Sequence, residues 1–261
     1  MQNKITAMIL LVAVNCMGAR LNLSAERAFA IYVADVETRL ARQHAKPETY
    51  LAVPAGEAGD QGIRVEAVNR GSRQLPGALL HHWRGSTFVP NATPADMLAV
   101  LRDFGHFPRY YAPEVVSARA LADNGETATL AVRFRERRVL TIVLDGEYQV
   151  ETEHSGNDRG YSVSRSLHFW QVDNTGTIRE RRRPEGQDDG FLWRLNSYWS
   201  FTRIRGGLQI ECEAVSLTRD VPVGLGWLIT PIISDYPREA LEFTLRATRN
   251  ALTEHAARGA D

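Results

Sequence analysis

Between residues 79 and 219 the sequence runs through strand-like segments separated by turn chemistry, and from residue 236 it becomes one long amphipathic helix. That order leaves few folds open. A strand at 79–89 is followed by two short helical stretches, and strands then fall at about 115–121, 128–136, 139–152, 161–172, 191–203 and 208–219. Their separators include Asp123-Asn124-Gly125, Ser155-Gly156-Asn157, Asn174-Thr175-Gly176 and Gly206-Gly207, residue types that accept left-handed backbone and close hairpins. Sequential antiparallel hairpins are the economical topology. Thr93-Pro94 reads as a cap followed by proline at the first helical position, opening a helix over 95–104, and 107–111 reads as a second helical turn. In the terminal helix, 236–257, Leu241, Leu245, Thr248 and Leu252 share one face with Phe243 beside them.

Upstream of this block, Ser24 can cap a helix running to about His44, on which Phe29, Val33, Val36 and Leu40 make one apolar stripe. Residues 46–76 show little periodicity beyond a short strand-like run at 63–68. Residues 20–76 are therefore expected to form an N-terminal helical extension packed on the main domain, 77–261, where it could occlude part of a binding site.

Residues 1–19 have the parts of a secretory signal peptide in small form: a start with Lys4, an apolar run from Ile5 to Val14, and small or polar residues before Arg20. The run is too short for a bilayer span, which needs about 20 residues. The protein is expected to be secreted or periplasmic. Cys16 raises a lipoprotein reading, against which Asn15 stands where such a motif wants a small residue, and a first turn of a folded helix is the other alternative. Removal of 1–19 would leave Cys212 as the only cysteine, so no internal disulfide is expected; in the alternation Leu208, Ile210, Cys212, Ala214, it reads as a small buried hydrophobe.

The 31 basic and 31 acidic side chains cancel, which argues against a protein that holds nucleic acid through a surplus of cations. Lysine occurs only at positions 4 and 46; the arginine excess reads as compositional. The arginines at 133, 135, 137, 138, 179 and 181–183 are interleaved with or followed by acids, as in solvated hairpins.

The stretch Gly85-Ser86-Thr87-Phe88-Val89-Pro90-Asn91-Ala92-Thr93-Pro94, residues 101–113 with Asp103 and Phe107-Pro108, and the terminal block 219–252 together resemble the START-like superfamily, also called SRPBCC or Bet v 1-like. The resemblance covers about residues 77–257 and is one of pattern and element order. It implies an α+β helix-grip fold: a curved antiparallel β-sheet wrapped around a long C-terminal helix, with two short helices after the first strand. It also implies a cavity between sheet and helix for a hydrophobic ligand such as a lipid, sterol, polyketide or isoprenoid. Some members are polyketide-cyclase-like or hydrolytic enzymes, and many only bind or carry.

No strong catalytic signature accompanies this pattern: no Gly-x-Ser-x-Gly elbow, no His-Glu-x-x-His zinc helix, no Walker loop and no complete Gly-x-Gly-x-x-Gly. No catalytic residue, metal site or cofactor is expected, and whether any reaction is catalysed stays open. His81 and His82 are adjacent on a strand, so they point to opposite faces and cannot readily share one ion; one is expected inside and the other in solvent.

Strand faces supply the candidate ligand contacts. Phe191, Trp193, Leu195, Trp199 and Phe201 share a parity and would build an apolar wall, either lining a pocket or filling the core. Tyr161, Val163, Arg165, Leu167 and Phe169 share another, which would put Arg165 on an apolar face in need of an acid such as Glu136 or an anionic ligand group, unless a bulge turns it outward. Tyr148 shares a face with Leu140, Ile142, Leu144 and Val150, where its hydroxyl could mark the polar end of a cavity. The expected function is binding or transport of a hydrophobic small molecule or lipid, held against Trp193, Trp199 and Phe201, with Arg165, Tyr148 or His82 orienting a polar head. The alternatives are a cyclase-like or hydrolytic enzyme using a cavity His, Tyr or Arg, and an interaction module with a filled core. Residues 222–233, apolar and rich in Gly and Pro, would touch a membrane transiently if exposed and close the barrel end if buried.

Overall fold

The computed structural model describes residues 19–52, 62–137, 141–154, 156–220 and 226–258. Residues 1–18, with Cys16, and 221–225, which open the apolar connection, lie outside the described residues. Its strands are β1 (Ala19–Arg20), β2 (Arg64–Leu75), β3 (Ala78–Pro90), β4 (Val115–Asp123), β5 (Thr127–Arg137), β6 (Thr141–His154), β7 (Arg159–Asp173), β8 (Arg181–Arg182), β9 (Gln187–Asp188), β10 (Arg194–Ile204) and β11 (Gly207–Arg219). Its helices are α1 (Leu23–His44), α2 (Pro94–Arg102), α3 (Phe107–Tyr110) and α4 (Gly226–Arg258). One antiparallel sheet has the order β2-β3-β11-β10-β7-β6-β5-β4, with β8 paired to β7, and β1 and β9 form a separate ribbon. The expected α+β helix grip is the architecture observed.

Local chemistry explains most of the boundaries. α2 opens with a complete capping box, Thr93 Oγ1 accepting from the Asp96 N–H and the Asp96 carboxylate accepting from the Thr93 N–H, and Pro94 occupies the first turn. α1 is capped by Asn22, whose Oδ1 accepts from the Ala25 N–H at 2.7 Å, and not by Ser24, which lies inside the helix. Two segments are longer than the sequence pattern suggests. β2 extends to Leu75 and pairs with β3 as an edge strand of the main sheet, and α4 is helical from Gly226, well before Tyr236.

The sheet carries a helix on each face. On one side α4 places Leu241, Leu245 and Leu252 against Val89, Trp199, Phe201, Leu208, Ile210 and Cys212. On the other, Ala25, Phe29, Val36 and Leu40 of α1 pack against Leu80, Val163, Tyr198, Val215 and Leu217. Gly85 permits the α4 contact: a Cβ there would lie 2.3 Å from Leu245 Cδ1. Because both faces are covered, both parities of β11 are buried, and His81 and His82 are buried alike. The expected division into one inner and one solvent histidine fails for that reason. Each large apolar side chain buried in these layers contributes about 1.5–3 kcal/mol.

Candidate functional site

The α4 face extends past the tightly packed centre into an aromatic cluster. There Phe104, Tyr111, Val115, Leu130, Val132, Tyr148, Val150 and Phe169 are buried with Ala247 of α4, and Phe107, Phe134, Leu144, Leu192, Leu195 and Phe243 are half-buried around them. The ring of Tyr148 meets Phe169 and Phe134 edge-on, at centroid distances of 5.6 and 6.2 Å. Gly146 allows this: a Cβ there would sit 2.9 Å from Phe169 Cε1 and 3.0 Å from Tyr148 Cε2.

Two phenols are buried on this face and only one is satisfied. Tyr111 shares a hydrogen bond of 3.0 Å with Thr248 Oγ1 of α4, and burial pushes its hydroxyl up to about 12. The Tyr148 hydroxyl is equally buried and has no hydrogen-bond partner among the described residues; burial alone drives its pKa upward, so it is a neutral donor at any physiological pH. An unsatisfied buried hydroxyl costs about 1–3 kcal/mol. At the rim, Tyr236 of α4 donates to Glu136 of β5 at 3.1 Å.

The six candidate residues divide between the two faces. Tyr148, Trp199 and Phe201 lie on the α4 face. His82, Arg165 and Trp193 lie on the α1 face, on the opposite side of the sheet from Tyr148. For Trp193 the reason is where the strand starts. β10 begins at Arg194, and Trp193 belongs to the preceding turn, its N–H donating to Leu217 O at 2.8 Å and its indole to Asp188 Oδ1 at 3.0 Å. For Arg165 it is a bulge: Tyr148 pairs with Ser166 but Glu147 pairs with His168, so Leu167 is extra and every side chain beyond it changes face. Phe169 thereby joins Tyr148, while Arg165 faces α1. Its partners are Glu37, at 2.7 and 3.1 Å, and Glu151 at 2.9 Å, not Glu136.

His82 belongs to a polar network that sequence reasoning missed. Its Nε2 lies 2.8 Å from Glu213 Oε2 and its Nδ1 lies 2.9 Å from the Tyr32 hydroxyl. Glu213 is 1% exposed, and Arg84 and Arg39 also reach it. Burial alone would raise the Glu213 carboxyl, but the His82 hydrogen bond and the two guanidinium groups outweigh it and hold it at about 2. Nearby, His44 of α1 hydrogen-bonds Ser200 of β10 at 2.8 Å and is brought down to about 4 by burial and by Arg39. The only sequence signal for this network is that Glu211 and Glu213 interrupt the most apolar strand. Among the described residues, no group of three His, Cys, Asp or Glu side chains could hold a metal ion, and no helix is long and apolar enough to cross a membrane.

No family model and no curated protein matches the chain. Solved structures similar to it include a STAR-related lipid transfer protein from Xanthomonas axonopodis, 17% identical, with a TM-score of 0.43 over 72% of this chain and 99% of that one. Zhui aromatase/cyclase from Streptomyces sp. R1128 is 15% identical, with a TM-score of 0.43 over 70% of this chain and 96% of that one. Human STARD10 is 9% identical, with a TM-score of 0.42 over 74% of this chain and 76% of that one. At these values the likeness carries no argument about a ligand or a reaction of this chain.

Proposed function

We propose that the protein binds a hydrophobic small molecule or lipid between the sheet and α4, with the Tyr148 hydroxyl donating to the polar group of its guest. The observation that carries this reading is the Tyr148 hydroxyl, buried without a hydrogen-bond partner among the described residues inside an otherwise apolar aromatic cluster. Such a surface offers burial to an apolar body and a single fixed donor to its head, the usual division of labour in a ligand pocket. Trp199 and Phe201 lie on the same face, in the packed centre against α4. On the reading of residues 1–19 as a signal peptide, the protein works outside the cytoplasm.

Native mass spectrometry of the purified protein, before and after mild lipid extraction and reloading, tests the proposal. A retained or reloaded apolar adduct is expected, with weaker retention in Tyr148→Phe. A protein that neither carries nor takes up any apolar compound would overturn it.

A further inference from the structure

The α4 face of the sheet holds two hydrophobic clusters, one around Trp199 and Cys212 and one around Tyr148 and Phe169. Small side chains lie between them. On that face of β10, Ser197 stands between Leu195 and Trp199, and the register sets it opposite Ser164 of β7 and Ala214 of β11. Ser164 is in turn opposite Val150, in the Tyr148 cluster, and Ala214 is opposite Trp83, which packs against the Trp199 cluster. In the next row Ser166 is opposite Tyr148, and Ser216 is opposite Leu195. Five neighbouring positions thus carry Ser or Ala on a face that, beneath a helix, is ordinarily filled by large apolar side chains.

Some of these hydroxyls are occupied within the sheet: Ser162 donates to Glu151 O at 3.2 Å, and Ser166 Oγ accepts from the Leu195 N–H at 2.9 Å. Others are not. Ser164 and Ser197 are half-buried, Ser216 is 8% exposed, and none of the three hydroxyls has a hydrogen-bond partner among the described residues. Tyr148, on the same face and fully buried, is the independent fourth. Such groups cost free energy until a partner supplies the missing bond. Directly opposite residues hold their Cβ atoms about 4.5–5.5 Å apart and diagonal ones about 7–8 Å, so Ser164, Ser197 and Tyr148 can serve neighbouring oxygens of one guest.

Charge is missing from the same region. Among the described residues, no charged side chain stands on the α4 face within 146–152 of β6, 162–166 of β7, 195–201 of β10 or 210–216 of β11. The charged groups bordering it are Glu136, which accepts from Tyr236, and, around Phe243 of α4, Glu239 and the pair Arg238 and Glu242, 3.6 Å apart. Three acids and one arginine already engaged by an acid offer an anionic head no counter-ion, and burying an unpaired carboxylate or phosphate is strongly unfavourable.

Resting on the reading of the α4 face as an apolar binding site, we propose that its guest is an uncharged lipid whose head carries two or more neighbouring oxygens, a glyceride or similar polyol ester, and that fatty acids and phospholipids are excluded by their charge. The serine hydroxyls and Tyr148 would share the oxygens of the head, and the chain would lie against the flanking clusters.

Equilibrium dialysis of the full protein against radiolabelled monolaurin, dodecanol and laurate tests this, at about pH 8, where a free carboxyl group is charged. Monolaurin is expected to bind at least about tenfold more tightly than laurate. The double variant Ser164→Ala, Ser197→Ala is expected to weaken monolaurin relative to dodecanol by about tenfold, as the loss of two hydrogen bonds requires. Laurate bound as tightly as monolaurin, or an unchanged ratio in the double variant, would overturn the assignment of the head and leave the apolar site standing. Uptake of none of the three would remove the apolar site as well, so the two failures are told apart. Should the double variant not fold, the wild-type ranking and the single variant Ser197→Ala decide it.

Discussion

Arg165 and Glu37 form a two-pronged ion pair across the boundary between β7 and α1, with Nε and Nη2 at 2.7 and 3.1 Å from the two carboxylate oxygens. Among the described residues, three ion pairs hold α1 to the sheet: Arg194 to Glu26, Arg165 to Glu37, and Arg39 to Glu213. Both side chains of the central pair are close to a third exposed, which limits its worth. Arg165→Ala is expected to destabilise the fold by about 1–2 kcal/mol, measured by chemical unfolding, and to leave apolar-ligand binding unchanged. A loss of binding at full stability would show that Arg165 serves the ligand after all.

Tyr148→Phe should have effects of opposite sign on stability and on binding. Removing an unsatisfied buried hydroxyl is expected to stabilise the ligand-free protein by about 1 kcal/mol, while the affinity for a guest with a polar head falls. Paired melting and binding measurements check this, and a destabilised variant would mean that the hydroxyl has a partner in solution.

Gly85→Ala should lift α4 from the sheet. The added methyl would stand 2.3 Å from Leu245 Cδ1 and 3.1 Å from the carbonyl of Arg64, so side chain and backbone must both yield. A loss of about 1–3 kcal/mol is expected, read as a lower Tm, with an altered uptake of apolar probes.

Acid should weaken the fold in two stages. His44 and His81, brought by burial from 6.5 to about 4, take up protons in the unfolded chain before they do so in the folded one, so their contribution is present above pH 6.5 and lost as pH falls to 4. Glu213, at about 2 in the fold against 4.5 unfolded, contributes above pH 4.5 and loses that contribution as pH falls towards 2. Unfolding free energy measured from pH 7 downward should therefore decline through both windows. His44→Gln should flatten the upper one, and an unchanged slope in that variant would contradict the assignment to His44.

Much of the fold can be read directly. The hairpin order, the Thr93-Pro94 helix start, the terminal helix and the burial of Cys212 all follow from local chemistry. What local patterns could not show is which way a parity points. A single extra residue at Leu167 sends Phe169 and Arg165 to different faces, and a strand starting at Arg194 releases Trp193 from the parity of Trp199. Nothing in Gln209, Glu211 or Glu213 announces that the polar side of β11 is buried, with Arg39, far away in sequence, reaching Glu213. Tyr148, whose strand carries no such interruption before it, shares the α4 face with Trp199 and Phe201.

A sheet with helices on both faces has a consequence for how this chain can change. In most half-exposed strands every second position is free to drift, so tolerance to polar substitution alternates along the chain. β11 has no free side, since Leu208, Gln209, Ile210, Glu211, Cys212 and Glu213 are all buried. A saturation library across residues 208–213 should therefore show no two-residue rhythm, with polar replacements of Glu213 as damaging as those of Cys212. Polar substitution is expected to be tolerated instead on the outer strands, where β4 still has an exposed side.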